Sequence, residues 1–198
     1  MLEQLDSNTG IVICGHGSRS KLAIEEFADL VKAIKFKLPH VPIEYGYLEF
    51  ANPTISEALD KLQSFSIQNV IAIPAMLFAA GHTKNDIPSL LKSYSEKNGL
   101  NISYGRELGI NSSMIGAAGG RIQELINNQQ NKADYAASEI LLVVVGRGSS
   151  DPDANSNVSK ITRMLVEGFG FGWGETVFSG VTFPLVEPGL RKAIQLGY

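Results

Sequence analysis

Gly10-Ile11-Val12-Ile13-Cys14-Gly15-His16-Gly17-Ser18-Arg19-Ser20 is the stretch whose reading decides the fold. An apolar run enters it and the amphipathic pattern of Lys21 to Leu38 leaves it, so a strand hands over to a helix here. In open α/β sheets, ligands bind at that handover, beyond the carboxyl end of the strand. Glycines on both sides of His16 leave the backbone without Cβ atoms beside the imidazole, and a flat or bulky ligand can come close.

Outward from this loop the same alternation continues. Ile43–Leu48, Val70–Pro74 and Asn101–Tyr104 read as strands, and Ile55–Phe65, Pro88–Lys97 and Asn111–Asn127 read as helices. Thr54 with Glu57 three residues later forms a capping box before Ile55. Met1–Thr9 reads as a frayed lead-in, Met76–Thr83 as an apolar loop, and the polar Asn128–Asp134 as a linker. Beyond the linker the pattern restarts: Ile140 to Val145 is apolar, and Gly146-Arg147-Gly148-Ser149 repeats the glycine spacing of the opening loop. Gly15 and Gly146 lie 131 positions apart (146 minus 15). A helix (Asn155–Phe169), a strand (Thr176–Val181) and a helix (Glu187–Leu196) follow in the original order, which marks an internal repeat. The expectation is an α/β protein with parallel sheets and helices on both faces. Residues 1–134 form one lobe, and residues 135–198 form a partial second copy that stops before the counterpart of Val70–Pro74. The open sheet edge this leaves favours pairing with a second copy or a complementing chain.

Composition narrows the function. The 198 residues are 44% hydrophobic and 19% charged with a net charge of -3, an ordinary globular balance. An acidic chain is a poor match for nucleic acid or anionic membranes, and neither is an expected partner. The single cysteine, Cys14, sits inside an apolar run as a core residue and excludes an internal disulfide. Met1–Asn8 has no apolar signal segment, and no run is long enough to cross a bilayer, so the cytoplasm is the expected compartment.

Three strand ends carry reactive groups: His16, Glu49 and His82. If their strands are adjacent and parallel, two imidazoles and a carboxylate converge at one sheet edge, a donor set suited to cobalt, iron, nickel or zinc. The same groups can accept protons near neutral pH. Each also has a plainer role: His16 donating to a carbonyl in a tight turn, His82 starting a helix before Asp86, Glu49 capping a helix or pairing with a lysine. His40, between Pro39 and Pro42, is a surface-turn residue without a role. Arg19, Lys21 and Lys84 are either solvated or clamps for a polycarboxylate ligand. The loop fits neither the Walker pattern nor Gly-x-Gly-x-x-Gly, since residue 20 is Ser, and its order is not that of a hydrolase elbow.

Cys14-Gly15-His16-Gly17-Ser18-Arg19, Tyr47-Leu48-Glu49-Phe50-Ala51-Asn52-Pro53-Thr54-Ile55 and the stretch from Ile73 to Pro88, with Gly81-His82-Thr83-Lys84-Asn85-Asp86 at its centre, resemble the sirohydrochlorin chelatases, nearest the CbiX-type cobaltochelatases. The resemblance implies a class II chelatase fold, with two similar α/β lobes facing a cleft. It implies ATP-independent insertion of Co2+ into sirohydrochlorin, a step of cobalamin biosynthesis, with Fe2+ insertion by near relatives. It places His16 and His82 at the metal, and needs no cofactor beyond the substrate metal, Co2+ or Fe2+; Glu49, as a proton acceptor, joins them among the expected catalytic residues. Gly15, Gly17, Ser18, Arg19, Lys84 and Arg147 are the expected contacts to the tetrapyrrole. Arg147 stands where the first copy has His16, and Thr182 follows the strand that corresponds to the one before Glu49, so the second lobe resembles a non-catalytic half. A non-catalytic tetrapyrrole or metal carrier and a generic nucleotide-binding domain are the competing functions.

Overall fold

The computed structural model describes residues 5–128 and 135–197. Of the expected linker Asn128–Asp134 only Asn128 is among them; its other residues, Met1–Gln4 and Tyr198 lie outside the described residues. The chain divides into two compact units, Met1–Gly109 and Ile110–Tyr198.

The first unit is built on β1 (Thr9–Gly15), flanked by β2 (Ile43–Tyr47) and β3 (Asn69–Pro74), with β4 (Asn101–Tyr104) outside β3. All four run parallel in the order β2-β1-β3-β4. Every residue of β1 is buried, as a central parallel strand with both faces covered requires. Alternation sends Ile11 and Ile13 to one face, against Val31, Phe27 and Ile34 of α1 (Lys21–Lys37). Val12 and Cys14 point to the other, against Leu59 and Leu62 of α2 (Ile55–Ser64) and Ile87 and Leu91 of α3 (Ile87–Asn98). Burial pushes the Cys14 thiol up to about 12, so it stays neutral in the core. The capping box forms as expected: the Thr54 amide donates to Glu57 Oε2 at 2.7 Å and the Glu57 amide to Thr54 Oγ1 at 3.2 Å. The lead-in is more ordered than its polarity implies. Thr9 is the first residue of β1, its amide donates to Asp6 O, and Asn8 O accepts from Gln68 and Asn69.

The second unit repeats part of this plan. β5 (Leu141–Gly146) pairs in parallel with β6 (Trp173–Phe178), joined by α5 (Pro152–Phe169) and followed by α6 (Val186–Gln195). β6 starts and ends three residues earlier than its apolar pattern indicates. Its polar opening, Trp173-Gly174-Glu175, pairs with Leu141–Val143, and the chain leaves the strand after Phe178. β5 has one strand neighbour among the described residues, and its side chains are partly buried or, at Val145, exposed, where those of β1 are wholly buried. α4 (Ser112–Asn128), read from sequence with the first lobe, falls in the second unit and packs on α5. Gly119 makes that approach feasible, because a Cβ there would stand 3.0 Å from Phe169 Cζ. No helix among the described residues is long and apolar enough to cross a membrane.

A backbone-to-backbone fit lies under the rim of the first sheet. A Cβ on Gly46 would lie 2.4 Å from Thr54 O and 2.5 Å from Ile55 Cα, both backbone atoms of the α2 start. Gly46→Ala is expected to cost about 3 kcal/mol by overpacking. Gly81→Ala, where the added methyl meets nothing within 4 Å, should be close to neutral. Urea unfolding of the two variants checks the contrast.

Candidate metal centre

The parallel order β2-β1-β3 delivers three strand ends to one rim. Cys14 is in register with Gly46 and Pro74, so the residues just beyond β1, β2 and the loop after β3 emerge side by side. Ladder hydrogen bonding continues past the strands: the Leu48 amide donates to Gly15 O at 2.9 Å and the Glu49 amide to His16 O at 3.0 Å. Two of the three candidate ligands are thereby joined through their own backbones. Gly17, at φ +94, makes this possible, since a Cβ there would fall 1.7 Å from Glu49 O. Gly15 serves the core instead, because a Cβ there would press on the Phe27 and Tyr47 rings.

His82 arrives differently. The expected loop Met76–Thr83 ends two residues early, where a π-helical turn, His82–Asp86, begins and runs directly into α3. The Lys84 amide donates to Ala80 O at 2.8 Å, and Tyr104 Oη donates to Thr83 O at 3.0 Å. Burial, with smaller effects from Cys14 and Glu107, pushes the Tyr104 hydroxyl up to about 12, so it remains a donor to that carbonyl. Such turns are rare and often occur at functional sites.

The ligand atoms of His16, Glu49 and His82 all lie within 4.8 Å of one another. The two imidazoles meet edge to face, with centroids 4.8 Å apart. Two donors on one ion at about 2.1 Å are about 3 Å apart at right angles and about 4.2 Å apart when opposite. The His16 Nε2 to Glu49 Oε1 separation of 3.3 Å matches neighbouring positions on one ion. For donors on one side of an ion the widest pair closes by about 1.4 to 1.8 Å, within the reach of a side-chain rotation.

The hydrogen bonds set the tautomers. His16 Nδ1 lies 3.0 Å from Gly17 O, and a carbonyl only accepts, so Nδ1 carries the proton. His16 Nε2 then turns a lone pair towards the Glu49 carboxylate, a juxtaposition favourable only with a cation between them, either a proton or a metal ion. His82 Nδ1 likewise donates to Asp86 Oδ2 at 2.7 Å, which leaves Nε2 for a ligand. The turn-donor role of His16 and the pairing of His82 with Asp86 are therefore compatible with metal binding. Both are the orienting contacts that metal-binding imidazoles need. Glu49 faces His16 rather than a lysine.

The remaining candidates separate. Ser18 Oγ accepts from the Ser20 amide at 3.0 Å and shapes the turn before α1. Arg19 lies over the Phe50 ring, its Cζ 4.9 Å from the centroid. Lys84 is exposed, one residue beyond Thr83 in the π-helical turn. Arg147 is exposed on the second unit, where Ser179 Oγ donates to its carbonyl. Asp86 and Phe50 escaped sequence reading as site residues, although the spacing of four between His82 and Asp86 is a visible signal for the first. A cavity of about 720 Å3 lined by Leu5, Thr9, Lys37, His40 and Pro42 lies at the opposite, amino end of the sheet.

The sequence model of the CbiX family matches residues 10–125 and 141–198. The chain belongs to the CbiX family. A sirohydrochlorin cobaltochelatase of Priestia megaterium is 35% identical over 189 residues, covering 94% of this chain and 60% of that protein. A sirohydrochlorin ferrochelatase of Bacillus subtilis is 31% identical over 159 residues, covering 79% of this chain and 58% of that one. The solved structure of SirB from Bacillus subtilis with Fe3+ superposes with a TM-score of 0.81 at 26% identity, covering 93% of this chain and 70% of that one. The chain thus spans about three-fifths of the length of the first two relatives. As a CbiX-family fold, the first unit brings both motif histidines and the motif glutamate to a single rim.

Asp86→Asn keeps the shape of the turn but removes the carboxylate that orients His82. Co2+ affinity measured by calorimetry is expected to fall about tenfold, with the circular dichroism spectrum unchanged.

Proposed function

We propose that this chain inserts a divalent metal, Co2+ in the first instance, into sirohydrochlorin. The observation that carries the proposal is the convergence of His16 Nε2, Glu49 and His82 at the exposed rim of the first sheet. Insertion exchanges two pyrrole N–H protons for one metal ion, so the site must strip water from the cation, present it to the ring and remove protons. The His16 and His82 imidazoles replace aqua ligands on the ion from one side and leave the opposite side for the four ring nitrogens. Glu49, beside His16, accepts one pyrrole proton, and an imidazole released as the ion passes to the ring accepts the other. A cation fixed above the ring centre removes much of the entropic barrier to the encounter. No nucleotide hydrolysis is required.

Substrate carboxylates supply the second half of recognition. Arg19 and Lys84 border the metal ligands, and Arg147 occupies the corresponding loop of the second copy, where guanidinium pairing with a peripheral carboxylate suits it. Gly15, Gly17 and Ser18 act in this scheme by shaping the loop that presents His16. The preference for cobalt is supported by the higher identity of the cobaltochelatase relative, 35% against 31% for the ferrochelatase. Two imidazoles and a carboxylate bind both ions, so the Fe2+ reaction is the alternative outcome.

His16→Ala and His82→Ala should each lower metal insertion at least 100-fold, followed through the absorbance of sirohydrochlorin, while melting temperatures stay within a few degrees of the native protein. Running the assay with Co2+ and Fe2+ separately identifies the preferred ion. Near-native insertion by either variant would overturn the assigned roles, and spectral change with neither ion in the native protein would favour a carrier.

A further inference from the structure

Phe50 is the residue of the rim that local folding explains least. It has φ +64, a left-handed conformation uncommon for a bulky side chain, and the residue is 53% exposed. Glycine would adopt that backbone without a steric cost. The second copy repeats the feature: Val181, 131 positions further on, has φ +66 and is 71% exposed. The turn geometry thus belongs to the repeat, and both copies place an exposed apolar side chain where glycine fits better. Strain held at such a position, with the side chain left in water, is characteristic of binding sites.

The surroundings of Phe50 indicate what it binds. Its ring centroid is 6.2 Å from that of His16, at an interplanar angle of 35°, and Arg19 Cζ lies 4.9 Å from the ring centroid. An apolar aromatic surface therefore adjoins the metal ligands and carries a guanidinium on it. That combination matches a flat conjugated ring with carboxylates at its edge.

We propose that Phe50 is a substrate-positioning residue: the tetrapyrrole ring lies against its side chain, and the Arg19 held there pairs with a peripheral carboxylate. This rests on the chelatase function proposed above. Phe50 takes no part in holding the metal; it sets where the ring stops relative to His16 and His82.

Steady-state kinetics with sirohydrochlorin and Co2+ test the idea. Phe50→Ala is expected to raise KM for sirohydrochlorin about tenfold with kcat changed less than threefold, and Phe50→Tyr to restore KM. Arg19→Met should raise KM as well, and the double variant should fall short of the product of the two single effects, since the residues act as a pair. Co2+ affinity without tetrapyrrole should be unchanged in Phe50→Ala. Phe50→Gly, which relaxes the backbone, should show the same rise in KM with a melting temperature equal to or above that of the native protein. An unchanged KM in Phe50→Ala, or a fall in melting temperature that accounts for lost activity in Phe50→Ala and Phe50→Gly alike, overturns the proposal. Failure of the native protein to metallate sirohydrochlorin at all instead defeats the underlying function, so the two failures are distinguishable.

Discussion

The whole site depends on the ladder between β1 and β2 continuing beyond the strands. The amides of Leu48 and Glu49 donate to the carbonyls of Gly15 and His16, so the first imidazole and the carboxylate are fixed by backbone hydrogen bonds rather than by side-chain packing. Strands end in loops because side chains there no longer find a core. Here Gly17 removes the Cβ that would otherwise separate the two chains, and pairing persists for two more residues. Ligands positioned in this way need little reorganisation when a cation arrives, which is the general benefit of building a site on rigid elements.

His82 has no such ladder. It depends on a π-helical turn that Tyr104 pins from β4 and Asp86 orients from one turn ahead. Its side chain is also more open to solvent than that of His16, 46% against 31%. One half of the site is therefore stiff and the other adjustable. The small closure needed to bring all three donors onto one ion falls naturally on the histidine held by side chains.

The parallel α/β architecture could be read from alternation alone, because β1 is apolar on both faces and the helices around it have clear amphipathic stripes. The convergence of His16, Glu49 and His82 could be read as well, since each follows a strand and parallel neighbours must share a carboxyl edge. Other features resisted for definite reasons. The π-helical turn lies in a stretch where Gly81 obscures helical periodicity. The placement of α4 depends on Gly119 meeting Phe169, a tertiary fit without a local signature. β6 opens on Trp173-Gly174-Glu175, which alternation does not mark as a strand. That shift also changes the match between the copies: Gly180 corresponds to Glu49, and Thr182 to Ala51. Gly148, at φ +90, would place a Cβ 2.0 Å from Gly180 O, just as Gly17 would against Glu49 O.

The second copy separates what the loop owes to folding from what it owes to chemistry. Gly148 and Val181 retain the backbone geometry of Gly17 and Phe50, whereas arginine and glycine replace the histidine and glutamate. The turn is thus a stable solution to leaving a parallel strand pair, available whether or not it carries ligands. In the first copy the same turn presents His16 and Glu49, and the π-helical turn brings His82 beside them. Structural metal sites close around the ion with a full set of protein ligands. Here the three donors are accessible to water, and under the proposed function they take an ion from solvent and pass it to a second set of ligands. Such a geometry suits transfer better than storage, because an ion enclosed by protein would have to break every bond before it could be passed on.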